Sequence, residues 1–94
     1  MHKLNLDKAI RALDHPARKA IVQFLIRKPM NVKDAIDELS RIGLKPKYRD
    51  SVYKNLEKLV ASGLVDKFYD NQKGICYRLI KRELRIDLAM WIVE

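Results

Sequence analysis

Basic residues concentrated in one short stretch are the side chains of this sequence best suited to binding chemistry. Residues 41–60 contain six Lys or Arg and two Asp or Glu, which gives +4 of the formal net charge of +8. Lys45, Lys47 and Arg49 stand at the predicted start of a helix, where the positive end of the helix dipole disfavours cations. Because N-terminal helix N–H groups and cations both attract phosphate, this stretch indicates a phosphate-binding surface.

The overall composition agrees with an anionic partner. The 94 residues are 48% hydrophobic and 34% charged, which is typical of one globular domain. A charge of +8 favours nucleic acid or an acidic membrane surface, although many small basic proteins carry such a charge for solubility alone. The longest uncharged runs, residues 20–26 and 88–93, are shorter than the ~18–20 residues that span a bilayer, and the N-terminus has no apolar signal core. We expect a soluble cytoplasmic protein, associated with the nucleoid rather than with a membrane.

Residue types used in catalysis are few and scattered. His2, His15 and Cys76 fall in three separate elements, without an acidic or hydroxyl partner at a recognised spacing. The single cysteine excludes an intrachain disulfide and a cysteine-based zinc site within one chain. Cys76 is expected to be a small buried apolar residue, with a redox-sensing thiol as the alternative. We therefore predict that the protein is not an enzyme and that it uses no metal or cofactor.

The helices that must position the basic residues are predicted from apolar spacing and from helix-capping residues. A first helix carries Leu6, Ile10 and Leu13 at i, i+4, i+7. A second begins around residues 14–16 and is stopped by Pro29. The buried stripe of this second helix consists of Ala17, Ala20, Ile21, Phe24 and Leu25.

Two further helices form a predicted helix-turn-helix at residues 31–62. Asn31 is the expected N-cap of the third helix, with Asp34 in a capping-box relation to it. The fourth helix is expected to run from near Pro46 to Ser62, before a glycine that ends it. Its core stripe consists of Val52, Leu56, Leu59 and Val60.

The sequence pattern changes after the fourth helix, and the new pattern predicts a β-hairpin. Residues 65–70 and 75–80 are rich in β-branched and aromatic residues, and the turn Asn71-Gln72-Lys73-Gly74 separates them. Helices followed by a hairpin in this order are typical of the winged helix-turn-helix. The predicted fold is therefore mostly α with a small β-hairpin (α+β), in a single domain of residues 1–94 whose wing is residues 65–80.

The outward face of the fourth helix supplies candidate contacts to DNA. Tyr53 lies at the edge of the apolar stripe, and Tyr48 either completes the core or meets a base. Asp50 and Lys54 also have the i, i+4 spacing of an ordinary ion pair, which is the alternative to a DNA contact. The residues that point outward are Lys47, Asp50, Ser51, Lys54 and Lys58.

The hairpin tip adds one further cation to the candidate site. Lys73 is expected either to reach a neighbouring groove or the DNA backbone, or to be solvated as isolated hairpin lysines usually are. The predicted DNA-binding residues are Lys45, Lys47, Tyr48, Arg49, Ser51, Tyr53, Lys54 and Lys73.

Three segments resemble the winged-helix repressors of the ArsR type. Residues 13–25 fit the L-x-x-P-x-R-x-x-I-x-x-x-L opening of that family. Residues 51–65 look like its recognition helix and exit, and residues 75–79 are similar to its second wing strand. The resemblance implies a dimeric DNA-binding protein in which Ser51 and Lys54 face DNA.

Two departures from the family pattern limit what the resemblance implies. The helix-three cysteines of the metal-sensing members are absent, since this stretch reads Asn31-Val32-Lys33-Asp34-Ala35-Ile36, and metal sensing at that site is ruled out. Residues 44–52 are longer than the usual family turn, which changes the setting of the first contact residues.

The chain ends are predicted to form a dimer interface. Residues 1–13 and 81–94 are expected to be dimerisation helices, because a winged-helix core ends near residue 80. The apolar residues after position 81 occupy more than one face of a helix, which indicates a subunit interface. The alternative is that they only cap the monomer core. The predicted interface residues are Leu4, Leu6, Ile10, Leu84, Leu88, Trp91 and Ile92.

These observations favour a homodimeric regulator that binds double-stranded DNA sequence-specifically and represses by steric occlusion. Two-fold symmetry would place the recognition helices roughly 34 Å apart on a palindromic site. A winged-helix protein-interaction module and a non-specific architectural DNA binder are the alternatives. Neither an operator nor a small-molecule effector can be read from the sequence.

Overall fold

The computed structural model describes residues 4–94, so His2 lies outside the described residues. Four helices, with a two-residue strand between the second and the third, precede two β-hairpins. The helices are α1 (Leu6–Leu13), α2 (Pro16–Arg27), α3 (Val32–Arg41) and α4 (Arg49–Ala61). The strands are β1 (Met30–Asn31), β2 (Val65–Asp70), β3 (Gly74–Leu79), β4 (Ile86–Asp87) and β5 (Ile92–Val93). The arrangement is α+β and winged-helix-like.

Side-chain caps define the starts of the first three helices. Asn31 and Asp34 form the predicted capping box at α3, each side chain accepting from the other residue's backbone N–H. Pro16 is the first residue of α2, as predicted, and His15 Nδ1 accepts from the Ala17 N–H at 3.2 Å. These bonds satisfy N–H groups that the first turn of a helix leaves without partners.

The apolar stripe predicted for α1 is only partly the one observed. Leu6 is buried as expected, but Ile10 is 47% exposed and Leu13 is half-buried. The buried face passes instead through Ala9 and Ala12. Small residues at these two positions let an eight-residue helix lie close to its neighbours, and the larger Ile10 is left outside.

The fourth helix begins three residues later than predicted. The predicted start near Pro46 is wrong, because the helix begins at Arg49 with Tyr48 as its N-cap residue. A proline disfavours helical backbone at the preceding residue, so Lys45 stays non-helical. At the other end Gly63 has φ +87°, the left-handed conformation that stops a helix as predicted.

The core lies between α2, α3, α4 and the start of the long hairpin β2–β3. Its largest fully buried side chains are aliphatic apart from Tyr77 and Met30. The predicted α4 stripe is confirmed, with Val52, Leu56 and Leu59 buried and Val60 half-buried. The other fully buried large residues are Ile21, Met30, Leu39 and Val65.

The predicted hairpin of residues 65–80 is confirmed, and it is part of a three-stranded antiparallel sheet in the order β1-β3-β2. Its register pairs Val65 with Leu79 and Asp70 with Gly74. The short strand β1 pairs with β3 and was not predicted. Two residues are too few to produce a period-two pattern.

The predicted C-terminal dimerisation helix of residues 81–94 is wrong. Arg85 and Glu94 exchange two backbone hydrogen bonds of 2.9 Å and close a small hairpin, β4–β5. Strand residues Ile86, Ile92 and Val93 are β-branched and prefer extended backbone. The Asp87 side chain accepts from the Met90 N–H, which favours a turn over a helix. Among residues 4–94, no helix has both the length and the apolar character needed to cross a bilayer.

Candidate nucleic-acid interface

The N-terminal end of α4 is exposed and carries no side-chain cap. Tyr48 occupies the N-cap position with extended backbone, but its side chain cannot accept from the first turn. We call Lys45, Lys47, Tyr48, Arg49 and Ser51 the basic end of α4; all five are exposed. The N-terminal turn of this helix is therefore open to an external hydrogen-bond acceptor.

No carboxylate of residues 4–94 lies within 4.0 Å of the three cations of the basic end. The Lys47 ammonium instead lies 5.6 Å from the centre of the Tyr48 ring. Tyr48 is 64% exposed, so the alternative that it completes the core is wrong. The structure thus brings an aromatic ring and three cations without carboxylate partners to one helix end.

The ion pair considered from the sequence joins the first and second turns of α4. Lys54 Nζ lies 3.2 Å from Asp50 Oδ2, and both side chains are about 70% exposed. Exposed i, i+4 pairs are worth only about 0.3–0.5 kcal/mol, so a phosphate can replace Asp50 at little cost. Ser51 Oγ donates to the Tyr48 carbonyl at 2.7 Å and keeps its acceptor capacity.

A cleft of about 300 Å³ separates the basic end of α4 from the long hairpin β2–β3. Arg49 and Tyr53 line it from α4, and Lys67, Lys73 and Ile75 line it from the hairpin. Lys67 was not among the predicted site residues. The alternation of strand residues could have found it, since position 67 lies on the same face as Val65.

The predicted contact residue Lys73 is held by an internal ion pair. Its ammonium lies 2.9 Å from Asp34 Oδ2, and its carbonyl accepts from Asn31 Nδ2 at 3.2 Å. The hydrogen bond from Lys73 lowers the pKa of Asp34 and raises the pKa of Lys73 itself. The structure therefore ties the hairpin tip to the N-terminus of α3.

A second tie joins the hairpin to α4. Tyr77 donates its hydroxyl to Glu57 Oε2 at 2.8 Å, and Lys67 Nζ lies 3.2 Å from Glu57 Oε1. Burial, and then the bond to Glu57, raise the pKa of Tyr77. The long hairpin is therefore tied to α3 at its tip and to α4 near its middle.

The predicted interface residues separate into two groups. Leu6 is buried in the core, and Leu4 and Leu84 are partly buried against it. Four others are about half exposed or more: Ile10, Leu88, Trp91 and Ile92. Trp91 Nε1 donates to Asp7 Oδ1 at 3.0 Å, so the start of α1 and the C-terminal hairpin are neighbours.

The two described residues considered for catalysis have structural positions. Cys76 is buried on β3 as predicted, and burial raises the pKa of its thiol, the opposite of what a reactive thiolate needs. His15 caps α2, and its pKa is lowered by burial and by Arg18 and Lys58. Within residues 4–94, no three His, Cys, Asp or Glu side chains are arranged to hold a metal ion.

Comparison of the chain with protein-family models gives no match, and comparison with curated proteins finds no similar sequence.

Proposed function

We propose that this protein is a winged helix-turn-helix regulator that binds double-stranded DNA sequence-specifically. In this proposal α3 and α4 form the helix-turn-helix, and the basic end of α4 enters the major groove. The long hairpin β2–β3 acts as the wing on the adjacent backbone or minor groove. The observation that carries the proposal is the basic end of α4, where three cations surround an uncapped helix N-terminus.

Folding alone gives no reason for this charge distribution. A cation in the first turn of a helix costs about 0.3–1 kcal/mol, and a missing N-cap costs roughly 1 kcal/mol. Asp50 in the first turn offsets part of the dipole cost, but no side chain replaces the missing cap, and no carboxylate of residues 4–94 pairs with Lys45, Lys47 or Arg49. A phosphate would offset both, because it accepts from the free N–H groups and neutralises Lys47 and Arg49.

The shape of this side of the molecule supports a groove rather than an isolated phosphate. The major groove accepts one helix, and contacts by its N-terminal residues are typical of helix-turn-helix proteins. In this proposal Ser51 faces the base edges, and Lys45, Lys47 and Arg49 contact the backbone phosphates. Lys67 and Lys73 line the cleft beside α4, where Glu57 and Asp34 partly neutralise them.

We extend the proposal to a homodimer formed through the C-terminal hairpin. Its turn leaves Leu88 and Met90 73% and 69% exposed, and Trp91 and Ile92 are about half exposed beside them. A hairpin with two-residue strands is marginal on its own, and exposed apolar patches commonly mark interfaces. A second copy covering this patch would give the two-fold arrangement that a palindromic site requires.

In this proposal the protein is an ArsR-like regulator whose DNA binding is not controlled by a metal ion. Repression by steric occlusion, and residence in the cytoplasm with the nucleoid, follow from the same hypothesis. A protein-interaction module is the second candidate, favoured by the exposed cross-strand pair Tyr69 and Ile75 near the hairpin tip. Aromatic and aliphatic side chains of this kind are common protein contacts.

The deciding experiment measures duplex binding of the intact protein by fluorescence anisotropy over a range of salt. We expect binding to a selected duplex to weaken steeply with salt, and Lys47→Gln and Arg49→Gln each to reduce the slope by about one. Lys33→Gln is the matched control, because Lys33 is an exposed lysine in the first turn of α3. If Lys33→Gln changes binding as much as Arg49→Gln does, the placement of the site is wrong.

Two further outcomes separate the alternatives. Equal affinity for all duplexes supports an architectural binder. Absence of duplex binding at low salt supports the protein-interaction module.

The homodimer is tested by sedimentation equilibrium, in which Leu88→Glu is compared with Ile26→Glu, a similar change at an exposed site on α2. We expect only Leu88→Glu to yield monomers, and a monomeric parent at micromolar concentration would contradict the dimer.

A further inference from the structure

A second basic surface lies away from the basic end of α4, in a cavity of about 300 Å³ between α1, α2 and α4. Its lining contains four cations, and none of its lining residues is acidic. The volume is at the lower end of the range found for small-molecule sites. The lining residues that matter are Lys8, Arg11, Ala12, Arg18, Lys58 and Ala61.

Arg18 is the central group of this cavity. It is only 8% exposed, although arginine is almost never buried without a partner charge. Its Nε donates to the Ala12 carbonyl at 2.7 Å and one terminal nitrogen donates to the Arg11 carbonyl at 3.3 Å. Its other terminal nitrogen donates to Asn55 Oδ1 at 2.9 Å. All three acceptors are uncharged.

The guanidinium therefore has spare capacity for an anion. A guanidinium has five N–H donors, and three are used here, so two are without an acceptor among residues 4–94. The carbonyl end of α1 offsets part of the positive charge. No carboxylate of the described residues lies within 4.0 Å to offset the rest.

The other lining residues add exposed cations at the rim of the cavity and methyl groups on its walls. Lys8, Arg11 and Lys58 are exposed and have no ion-pair partner among residues 4–94. Ala12 and Ala61 contribute methyl groups to the walls. The positive charge of the cavity also acts on His15, because Arg18 and Lys58 add to the effect of burial in lowering its pKa.

We propose that this cavity binds a small organic anion. Its carboxylate or phosphate group is bound by Arg18 and by the lysines at the rim, and its compact apolar body packs on Ala12 and Ala61. The site is separate from the DNA contacts, because Lys58 follows Arg49 by nine residues, roughly 13 Å along α4. The proposal does not depend on DNA binding.

The test is a titration of the intact protein with phenyl phosphate, followed by amide NMR and with benzyl alcohol as the uncharged comparison. We expect saturable shifts confined to the amides around the cavity. Lys8→Gln and Lys58→Gln should each weaken binding roughly two- to fivefold, and Lys33→Gln should leave it unchanged. These lysines are exposed, so their loss leaves the fold intact.

Three outcomes would overturn the proposal. Shifts that spread equally to the basic end of α4 would mean non-specific attraction to a basic protein. Equal binding of benzyl alcohol would remove the role of the anion. If Lys8→Gln and Lys58→Gln weaken duplex binding but not phenyl phosphate binding, the cations contact the DNA backbone instead.

Discussion

The two ends of α4 differ in almost every physical respect. At the C-terminal end, Leu59 is fully buried, and Ser62 Oγ donates to the Leu59 carbonyl at 2.7 Å while it accepts from the Leu64 N–H. At the N-terminal end, Tyr48 and Arg49 are exposed and no side chain caps the helix. The protein itself satisfies one end of the helix with a side-chain hydrogen bond, and the other end has no side-chain cap.

This difference indicates how one helix can serve both stability and binding. Stabilising free energy comes mainly from apolar burial, which is concentrated in the second half of α4 and in its neighbours. The first turn contributes little to the core apart from Val52, so its side chains are free to be selected for contacts outside the protein. Substitutions at the two ends should therefore differ in their effects on stability and on binding.

The largest expected effect is on the buried end. Leu59→Ala should lower the free energy of unfolding by about 2–5 kcal/mol, because it leaves a cavity in a closely packed core. Arg49→Ala, at the exposed end, should change the free energy of unfolding by no more than about 0.5 kcal/mol. Urea unfolding followed by circular dichroism measures both. Equal destabilisation by the two variants would remove the distinction between the ends.

The missing cap gives a prediction in which stability and binding change in opposite directions. Tyr48 already has the extended backbone of an N-cap, so Tyr48→Asp should raise the free energy of unfolding by about 1 kcal/mol. The same change adds a negative charge to the basic end of α4 and should weaken duplex binding. Thermal unfolding measures stability, and fluorescence anisotropy measures duplex binding. The control variant is Tyr48→Phe, which adds neither a capping oxygen nor a charge. If Tyr48→Asp binds duplex DNA as tightly as the parent, the basic end does not contact phosphate.

A smaller effect is expected where the wing tip meets α3. The Lys73–Asp34 pair is about half exposed on the lysine side, so Asp34→Asn should cost less than ~1 kcal/mol of stability. It also releases the Lys73 cation beside the cleft, so duplex binding should become tighter and more salt-dependent. Weaker binding after Asp34→Asn would mean that the pair is needed to position the hairpin.

The smallest expected effect is the pH dependence contributed by His15, near the buried end of α4. The folded-state pKa of His15 is below its ordinary value of 6.5, because burial and the cations Arg18 and Lys58 disfavour the charged ring. The unfolded chain therefore binds the proton more readily. The stability contributed by neutral His15 is fully present above about pH 6.5 and is lost as the pH falls toward the folded-state pKa.

His15→Asn keeps a capping side chain but cannot titrate. The free energy of unfolding of the parent should decrease more between pH 7 and pH 5 than that of this variant. Urea unfolding at the two pH values measures the difference. Identical slopes would show that His15 has the same pKa in both states.

The sequence predicted the parts of the fold whose signals are local. The Asn31–Asp34 capping box, Pro16 at the start of α2 and Gly63 after α4 each act within a few residues, and all three are as expected. The α4 stripe and the long hairpin also follow from period and turn residues. The cations of the basic end of α4 are recognisable from their clustering in the sequence, although Lys45 and Lys47 precede the helix and do not lie on it.

The remaining features depend on contacts between distant residues. Residues 84–93 have apolar spacing compatible with a helix, and their β-branched residues compete with that pattern, so period alone could not decide between helix and strand. The ties of Lys73 to Asp34 and of Tyr77 to Glu57 join different elements and have no local signature. The burial of Arg18 likewise depends on three elements meeting around it.

The hydrogen bond between Trp91 and Asp7 has a consequence for folding kinetics. It joins residues 84 positions apart, so forming it closes a loop of nearly the whole chain. Loop-closure entropy makes such a contact late, after the local helices and the long hairpin have formed. The C-terminal hairpin should then also be the first part to open in the native state. Hydrogen exchange of the Arg85 and Glu94 amides should therefore be faster than that of the amides in β3.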